Sequence, residues 1–328
     1  MTHAIGARLA DHMVLGTWGI SGAYSVTGRP SGYGPVAESQ FSAVLDAAWD
    51  AGLRWIDTAS SYGGGAGIER LARWQRVSGR TWRTVVKPGR PLAPAGPFSD
   101  LRDQAIGSEI GACAQRLGTP SAVLIKDPPE NSYRDGSLNG LLRRLALQWP
   151  VVGVATHRLD LVPLLGDAPA GNAVMQLEFH LLNRFSAVHA ADSARGSGWQ
   201  VWAMQPLAYG FLGGRYSAGT RFPDDDWRSR MPGQARTALA AGADALLRSL
   251  PFSVRDYPLS QLALAWCLAS PIVNRVVIGP RTPRQFADAM TAARLATEPA
   301  VTELVKDLHE TLLAQRTPPG PAGHVRPA

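Results

Sequence analysis

The sequence predicts an α/β chain folded as one (β/α)8 barrel, and three observations carry that prediction. Short apolar runs alternate with longer amphipathic stretches eight times along the chain, the pattern of parallel strands joined by helices. Composition does not shift anywhere to mark a second domain. No G-x-G-x-x-G fingerprint follows the first strand, which argues against an open doubly wound sheet. A chain of 328 residues with 45% hydrophobic content suits one barrel with a large core.

The elements follow in order. Met13–Trp18 reads as the first strand, and the Gly-, Ser- and Tyr-rich loop Tyr24–Gly34 comes after it. Glu38–Ala51 has helical apolar spacing and stops at Gly52, and Leu53–Thr58 is the second strand. Ile68–Val77 is a helix and Thr84–Lys87 the third strand. Ser99–Leu117 is a helix closed by Gly118, Ala122–Lys126 the fourth strand and Leu138–Trp149 its helix. Strand five is Val151–Ala155, with a short helix near Leu161. Strand six is Ala173–Leu177, with a helix near Ala187, and strand seven is Gln200–Met204. A long irregular stretch, Pro206–Gly233, precedes helices at Ala235–Leu247 and Leu259–Ala269. Strand eight is Arg275–Ile278, followed by a helix at Thr282–Arg294. Val301–Leu313 reads as an appended helix. The barrel with its N-terminal extension spans 1–316, and the Pro- and Gly-rich residues 317–328 read as a disordered tail.

Composition narrows the function. No apolar run is long enough to span a membrane, and the first ten residues lack the apolar core of a secretion signal. Cys113 and Cys267 both lie in apolar helical segments, so a reducing, cytoplasmic setting fits, with neither a disulfide framework nor a cysteine metal site. The net charge of +7 raises the possibility of a nucleic-acid partner. The arginines are dispersed, however, and no nucleic-acid-binding signature accompanies them, so a small-molecule partner is expected. The run Asp224–Asp226 reads as solvated loop charge rather than a metal site. Of the 33 basic residues only three are lysine, Lys87, Lys126 and Lys306. Positive charge is otherwise carried by arginine, so each lysine calls for a specific reason.

In such a barrel the chemistry sits at the C-terminal strand ends. Strand two ends at Asp57 with Tyr62 just beyond, strand three at Lys87 and strand four at Lys126. Two of the three lysines thus occupy adjacent strand ends. A lysine ammonium beside a phenol favours the phenolate, and an aspartate beside the lysine holds it charged. Together they make a group able to exchange a proton near neutral pH. His157 and His180 follow strands five and six and read as loop residues outside the chemistry.

Several segments, taken in this order, are similar to signatures of the aldo-keto reductases: LGTWGISG (Leu15–Gly22), WIDTASSYGGG (Trp55–Gly65), VVKPGR (Val85–Arg90), VMQLEFHLLNR (Val174–Arg184), MQPLAYGFLGGRY (Met204–Tyr216) and LALAWCLASPIVNRVVIGPRTPRQF (Leu262–Phe286). The resemblance covers roughly Leu15–Leu295. It implies reduction of a carbonyl by NADPH, less so NADH, or oxidation of an alcohol, with Tyr62 as the proton donor assisted by Lys87 and Asp57. It implies cofactor contacts from Thr17, Trp18, Thr156, Gln176, Met204, Gln205, Pro206 and Leu207 around the nicotinamide. Around the adenosine phosphate it implies Gly279, Arg281, Arg284, Gln285 and Asp288. The arginine pair favours a 2′-phosphate. This chain departs from the family where a histidine is expected and Lys126 stands instead. It departs again at Ala155-Thr156, Met204 and Ala289. Those departures motivate a second reading, a lyase, dehydratase or cyclase using Tyr62, Lys87 and Lys126, with cofactor binding weakened or lost. A third is a binding or regulatory subunit. Two adjacent ammonium groups are expected to lower each other's pKa and that of Tyr62.

Overall fold

The barrel closes. In the computed structural model, which describes residues 10–26, 28–90, 99–169, 172–251 and 254–315, ten strands are present. They are β1 (Met13–Gly16), β2 (Tyr24–Val26), β3 (Arg29–Ser31), β4 (Trp55–Thr58), β5 (Arg83–Val86), β6 (Ala122–Lys126), β7 (Val151–Thr156), β8 (Asn172–Glu178), β9 (Gln200–Met204) and β10 (Arg275–Ile278). All except β2 and β3 form one parallel ring in the order β1-β10-β9-β8-β7-β6-β5-β4. The seam pairs Leu15 with Ile56 and Gly16 with Asp57. The expectations for residues 317–328 and for the first nine residues lie outside the described residues.

The helices sit where the apolar spacing puts them. They are α1 (Glu38–Asp50), α2 (Ala66–Ser78), α3 (Asp103–Leu117), α4 (Glu130–Arg134), α5 (Ser137–Ala146), α6 (Arg184–Gly196), α7 (Gly233–Ser249), α8 (Leu259–Ala269), α9 (Pro283–Leu295) and α10 (Pro299–Ala314). Three differences have local causes. The helix expected from Ser99 starts at Asp103, because the Asp100 carboxylate takes the Arg102 amide and holds that stretch out of the helix. Leu159–Leu165 winds as a 3-10 turn around Pro163. The loop after β1 is a hairpin, with Tyr24 paired opposite Ser31.

Strand alternation divides the core in two. One set of side chains faces the helices, and the other fills the barrel with Val14, Val85, Ala122, Leu124, Ala155, Val174, Trp202, Met204 and Val277. Trp55 and Trp202 meet edge to face at 5.6 Å near the N-terminal mouth, with the Arg275 guanidinium 5.2 Å and 5.6 Å from their rings. They close that end, so ligands reach the interior from the opposite face. Gly153 in β7 makes the layer possible: a Cβ there would stand 1.8 Å from the Val174 carbonyl oxygen.

Candidate active site

The same alternation points Asp57, Lys126 and Gln176 into the open end of the barrel, with Lys87 just past β5. Lys87 Nζ donates to Asp57 Oδ1 at 2.6 Å and to Gln176 Oε1 at 3.4 Å, and Gln176 Nε2 donates to Asp57 Oδ2 at 2.9 Å. All three side chains are buried. Thr17 secures the arrangement from the neighbouring strand end, since both its amide and its hydroxyl donate to the Asp57 carbonyl at 3.0 Å.

Tyr62 opens a 3-10 turn, Tyr62–Gly65, and the three glycines after it take left-handed backbone. That conformation and the missing side chains let the turn lie against Ser21. A Cβ on Gly63 would come within 2.2 Å of the Ser21 carbonyl. The ring so fixed lies 5.1 Å from Lys87 Nζ and 5.9 Å from Lys126 Nζ. Burial pushes the Tyr62 phenol up to about 12, with the Lys87 ammonium opposing it. The expected lowering of Tyr62 below its ordinary value is therefore not met, because desolvation outweighs the nearby charge. Burial also works against the charge on Lys87, but Asp57 and then Tyr62 outweigh it and hold the ammonium above its ordinary range. Lys126 goes the other way. Burial, with Arg90 and Lys87 nearby, lowers it to about 8 despite the Asp127 carboxylate.

Around Lys126 lies a network drawn from residues far apart in the chain. Asp127 follows β6 in left-handed backbone, φ 41°, which aspartate tolerates better than most residues. Its Oδ1 meets the His157 ring at 2.7 Å and the His157 amide at 3.3 Å. Its Oδ2 takes Arg90 at 3.3 Å and Lys126 at 3.4 Å. Burial alone would raise the Asp127 carboxyl, but His157, Lys126 and Arg90 together hold it well below the usual carboxylate range. His157 also meets Gln205 at 3.1 Å. It is thus part of the cleft wall, not a peripheral loop residue. His180 is buried too, its ring 3.2 Å from Glu178. The sequence signal for Asp127 was its place directly after a strand-end lysine.

The open cleft, about 490 Å³, is lined by Trp18, Tyr24, Ser31, Tyr62, Lys87, Arg90, Lys126, Asp127, Ala155, His157, Met204 and Gln205. Four non-glycine residues in left-handed backbone, Asp127, Gln205, Ala208 and Tyr209, follow β6 and β9 on this face. Such backbone is costly and concentrates at working sites. Trp18 packs on Tyr33 at 4.8 Å and on Trp227 at 5.9 Å. Arg228 lies over Tyr33, Tyr216 and Phe222, at 4.3 to 4.9 Å from the three rings, and is bound to Asp226 at 2.6 Å. Asp226 is buried and caps the turn at Trp227, so only Asp224 and Asp225 of that acidic run are solvated.

The expected cofactor residues divide in the same way. Trp18, Met204 and Gln205 line the cleft. Gln176 is locked between Asp57 and Lys87, and Thr17 is spent on the Asp57 carbonyl. Thr156 is out of phase with Ala155 and His157, and its hydroxyl accepts the Arg158 amide, so it does not reach the cleft. Pro206 is buried, and the Leu207 carbonyl accepts the Gly210 and Leu212 amides in the turn after β9. At the start of α9, Thr282 caps the helix through the Gln285 amide, and Gln285 in turn accepts the Arg281 amide. Gly279, Arg284 and Asp288 are exposed beside it.

A sequence model of the aldo/keto reductase family matches residues 151–310. An uncharacterised oxidoreductase of Bacillus subtilis is 26% identical over 309 residues, 85% of this chain and 87% of its own length. Over residues 151–310 the chain resembles the aldo/keto reductase family, and the relative extends the likeness along most of its length. Among other relatives in this family comparison, a D-threo-aldose 1-dehydrogenase of Pseudomonas is 26% identical, over 79% of this chain and 85% of its own. A probable voltage-gated potassium channel subunit beta of Oryza sativa is 27% identical, over 84% and 87%. The glycerol dehydrogenase of Gluconobacter oxydans shares the fold, with a TM-score of 0.66 at 21% identity over 94% of each chain.

Proposed function

We propose that the protein reduces the carbonyl of a small molecule with a nicotinamide cofactor, NADPH before NADH, and that Tyr62 delivers the proton. The observation that carries this reading is the buried set Tyr62, Lys87 and Asp57, with one ammonium held charged by a 2.6 Å ion pair beside a phenol that keeps its proton at neutral pH. A protonated phenol can serve as the acid in the reductive direction. As the carbonyl oxygen gains charge, Tyr62 gives up its proton to it, and the Lys87 ammonium stabilises the phenolate left behind. Asp57 and Gln176 position Lys87, and Lys126 faces the same cleft as a second donor toward that oxygen.

The donor set fits a dinucleotide. Gln205 Oε1 is buried without a hydrogen-bond partner among the described residues and lies on the cleft wall, where an amide would satisfy it. Arg281 Nε is likewise unsatisfied near the capped start of α9, where a phosphate is well received. Gln205, Met204 and Trp18 would hold the nicotinamide end, and Arg281, Arg284 and Gln285 the phosphate, beside Gly279, where a Cβ would meet nothing within 4 Å. When bound, the reduced cofactor supplies hydride to the substrate carbon. Two buried free cysteines are consistent with a reducing, cytoplasmic setting, and among the described residues no helix is long and apolar enough to cross a membrane.

Titration of the purified protein with NADPH and with NADH, followed by fluorescence, tests the reading; no binding of either at millimolar concentration refutes it. One observation favours the second reading, a lyase, dehydratase or cyclase. Lys126, lowered to about 8, is partly a free amine near neutral pH and so available as a base. Turnover without nucleotide would establish that reading in place of the first.

A further inference from the structure

The backbone ladder between β4 and β5 ends at the pair Thr58–Val86. Tyr62 and Lys87 both stand beyond it, so strand pairing does not set the distance between them. Each is tied to its other neighbour. The Tyr62 turn lies against Ser21 next to β1, where Gly63 leaves room for the Ser21 carbonyl. The segment after Lys87 leans on β6, since the Pro88 carbonyl accepts the Lys126 amide at 2.9 Å. A narrow gap of about 140 Å³ separates the two segments, with Ser60, Lys87, Pro88 and Glu109 among its lining. Glu109, on α3, spans it. Its Oε2 accepts the Ser60 hydroxyl at 2.5 Å, and its Oε1 accepts the Gly89 amide at 3.0 Å. Ser60 precedes Tyr62 by two residues, and Gly89 follows Lys87 by two. Burial raises the Glu109 carboxyl, and those two hydrogen bonds oppose the rise by favouring the charged form.

We propose that Glu109 is a positioning residue for the acid site, its carboxylate clamping Ser60 and Gly89 so that the Tyr62 phenol is held against the Lys87 ammonium. The meaning of that spacing rests on Tyr62 as the proton donor, while the clamp itself is read without substrate or nucleotide. Asp57 and Gln176 hold the head of Lys87 from the barrel side. Glu109 supplies the matching hold on the turn that carries Tyr62. The attraction between an ammonium and a phenolate falls with their separation. Misplacing a reacting group by about 1 Å can cost roughly 10²-fold in rate. A carboxylate suits the task because it offers two acceptors on one rigid fork, one for each segment. Glutamine can keep both contacts, its oxygen taking the Gly89 amide and its NH2 donating to the Ser60 hydroxyl oxygen. Alanine keeps neither. Both replacements remove the charge, so the comparison between them isolates the clamp.

Lys87, Lys126 and Lys306 are the only lysines in the chain, so full-length protein labelled with carbon-13 at lysine Cε gives three signals, assigned through Lys126→Arg and Lys306→Arg. Lys87 Nζ lies 5.1 Å from the centre of the Tyr62 ring, close enough for the ring current to displace its signal, and Tyr62→Leu gives the undisplaced position. In Glu109→Ala the Lys87 signal is expected to move toward its place in Tyr62→Leu, with Lys306 unmoved. In Glu109→Gln it stays at the wild-type position. A loss of stability alone would lower the thermal midpoint without shifting this signal in the folded protein. Ser60→Ala cuts one arm of the clamp, shifts the signal in the same direction, and decides the matter if Glu109→Ala does not fold. With NADPH and 4-nitrobenzaldehyde as probes, Glu109→Ala is expected to lower kcat by about 10–10²-fold while NADPH affinity stays within about twofold, and Glu109→Gln restores the rate. An unmoved Lys87 signal in the alanine variants, or the same displacement in Glu109→Gln as in Glu109→Ala, overturns the proposal. So does a wild-type kcat in Glu109→Ala. Failure of the wild type to bind nucleotide, with the Lys87 displacement obtained, would remove the redox reading and leave the clamp standing.

Discussion

Replacing Asp57 with asparagine tests the buried ion pair at the base of the site. The change keeps the shape of the side chain and removes the charge facing Lys87. Lys87 and Asp57 are 5% and 2% exposed, and among the described residues their 2.6 Å contact is shared with Gln176 and Tyr62. Removing one member of a buried pair leaves a desolvated ammonium, at a cost of about 3–5 kcal/mol. At a urea slope of about 1–3 kcal/mol per molar, rising with chain size, the unfolding midpoint drops by at least ~1 M. The pH dependence carries the sharper information. In the wild type the folded-state pKa of Lys87 lies above its unfolded value. The contribution of the pair is then fully present below the unfolded pKa, about 10.4, and is lost as pH rises through the folded value. In Asp57→Asn desolvation is opposed by Tyr62 alone, and the folded pKa of Lys87 is expected to fall below about 10.4. The unfolded chain then binds more protons, so stability climbs with pH up to that value. Urea midpoints at pH 7 and about pH 9.5 read both effects. A deficit under about 1 kcal/mol at pH 7, or one that widens toward pH 9.5, would refute the assignment of Lys87 as a buried cation held by Asp57.

Three further outcomes follow from the same geometry. Tyr62→Phe is expected to lower kcat for the true substrate about 10²–10⁴-fold while leaving nucleotide affinity within about twofold; unchanged turnover removes Tyr62 from the chemistry. Gly153→Ala would set a methyl 1.8 Å from a backbone oxygen of the neighbouring strand, so its loss of stability is expected at or above the ~3 kcal/mol end for overpacked cores; a thermal midpoint near that of wild type refutes the close approach. Arg228→Ala strands the buried Asp226 and empties the space among Tyr33, Tyr216 and Phe222, which costs about 3–5 kcal/mol by urea unfolding; a neutral result would mean that the segment is not packed as described.

The strands and the helices on them were legible because period-2 and period-3.6 burial leaves its mark on every neighbouring residue. Arg275–Ile278, Gln200–Met204 and Leu259–Ala269 have the bounds their apolar runs predict. Asp57, Lys87 and Lys126 were legible for the same reason, since a polar residue ending an apolar strand has few places to point, whereas Tyr62 stands in the turn beyond β4. What escaped the sequence depended on contacts distant in the chain. His157 belongs to the cleft only because Asp127, 30 residues earlier, turns through a left-handed conformation to meet it. Asp226 looked like solvated charge, but Arg228 and three aromatic rings enclose it. The protonation of Tyr62 was misjudged because a local count of charges omits desolvation, which only the packed structure fixes.

The partners of Lys87 carry a consequence for how this site can change. Asp57 and Gln176 lie within strands and Thr17 directly after one, each bonded into the barrel ring. Tyr24, Arg90, Asp127, His157 and Gln205, which shape what enters, lie on the hairpin and on segments beyond the strand ends. The setting of the lysine beside the acid is thus fixed by the closed wall, while the cleft's shape is set by appended chain. If the proposed function holds, loop substitutions would change what enters the cleft without retuning the Lys87–Asp57 pair.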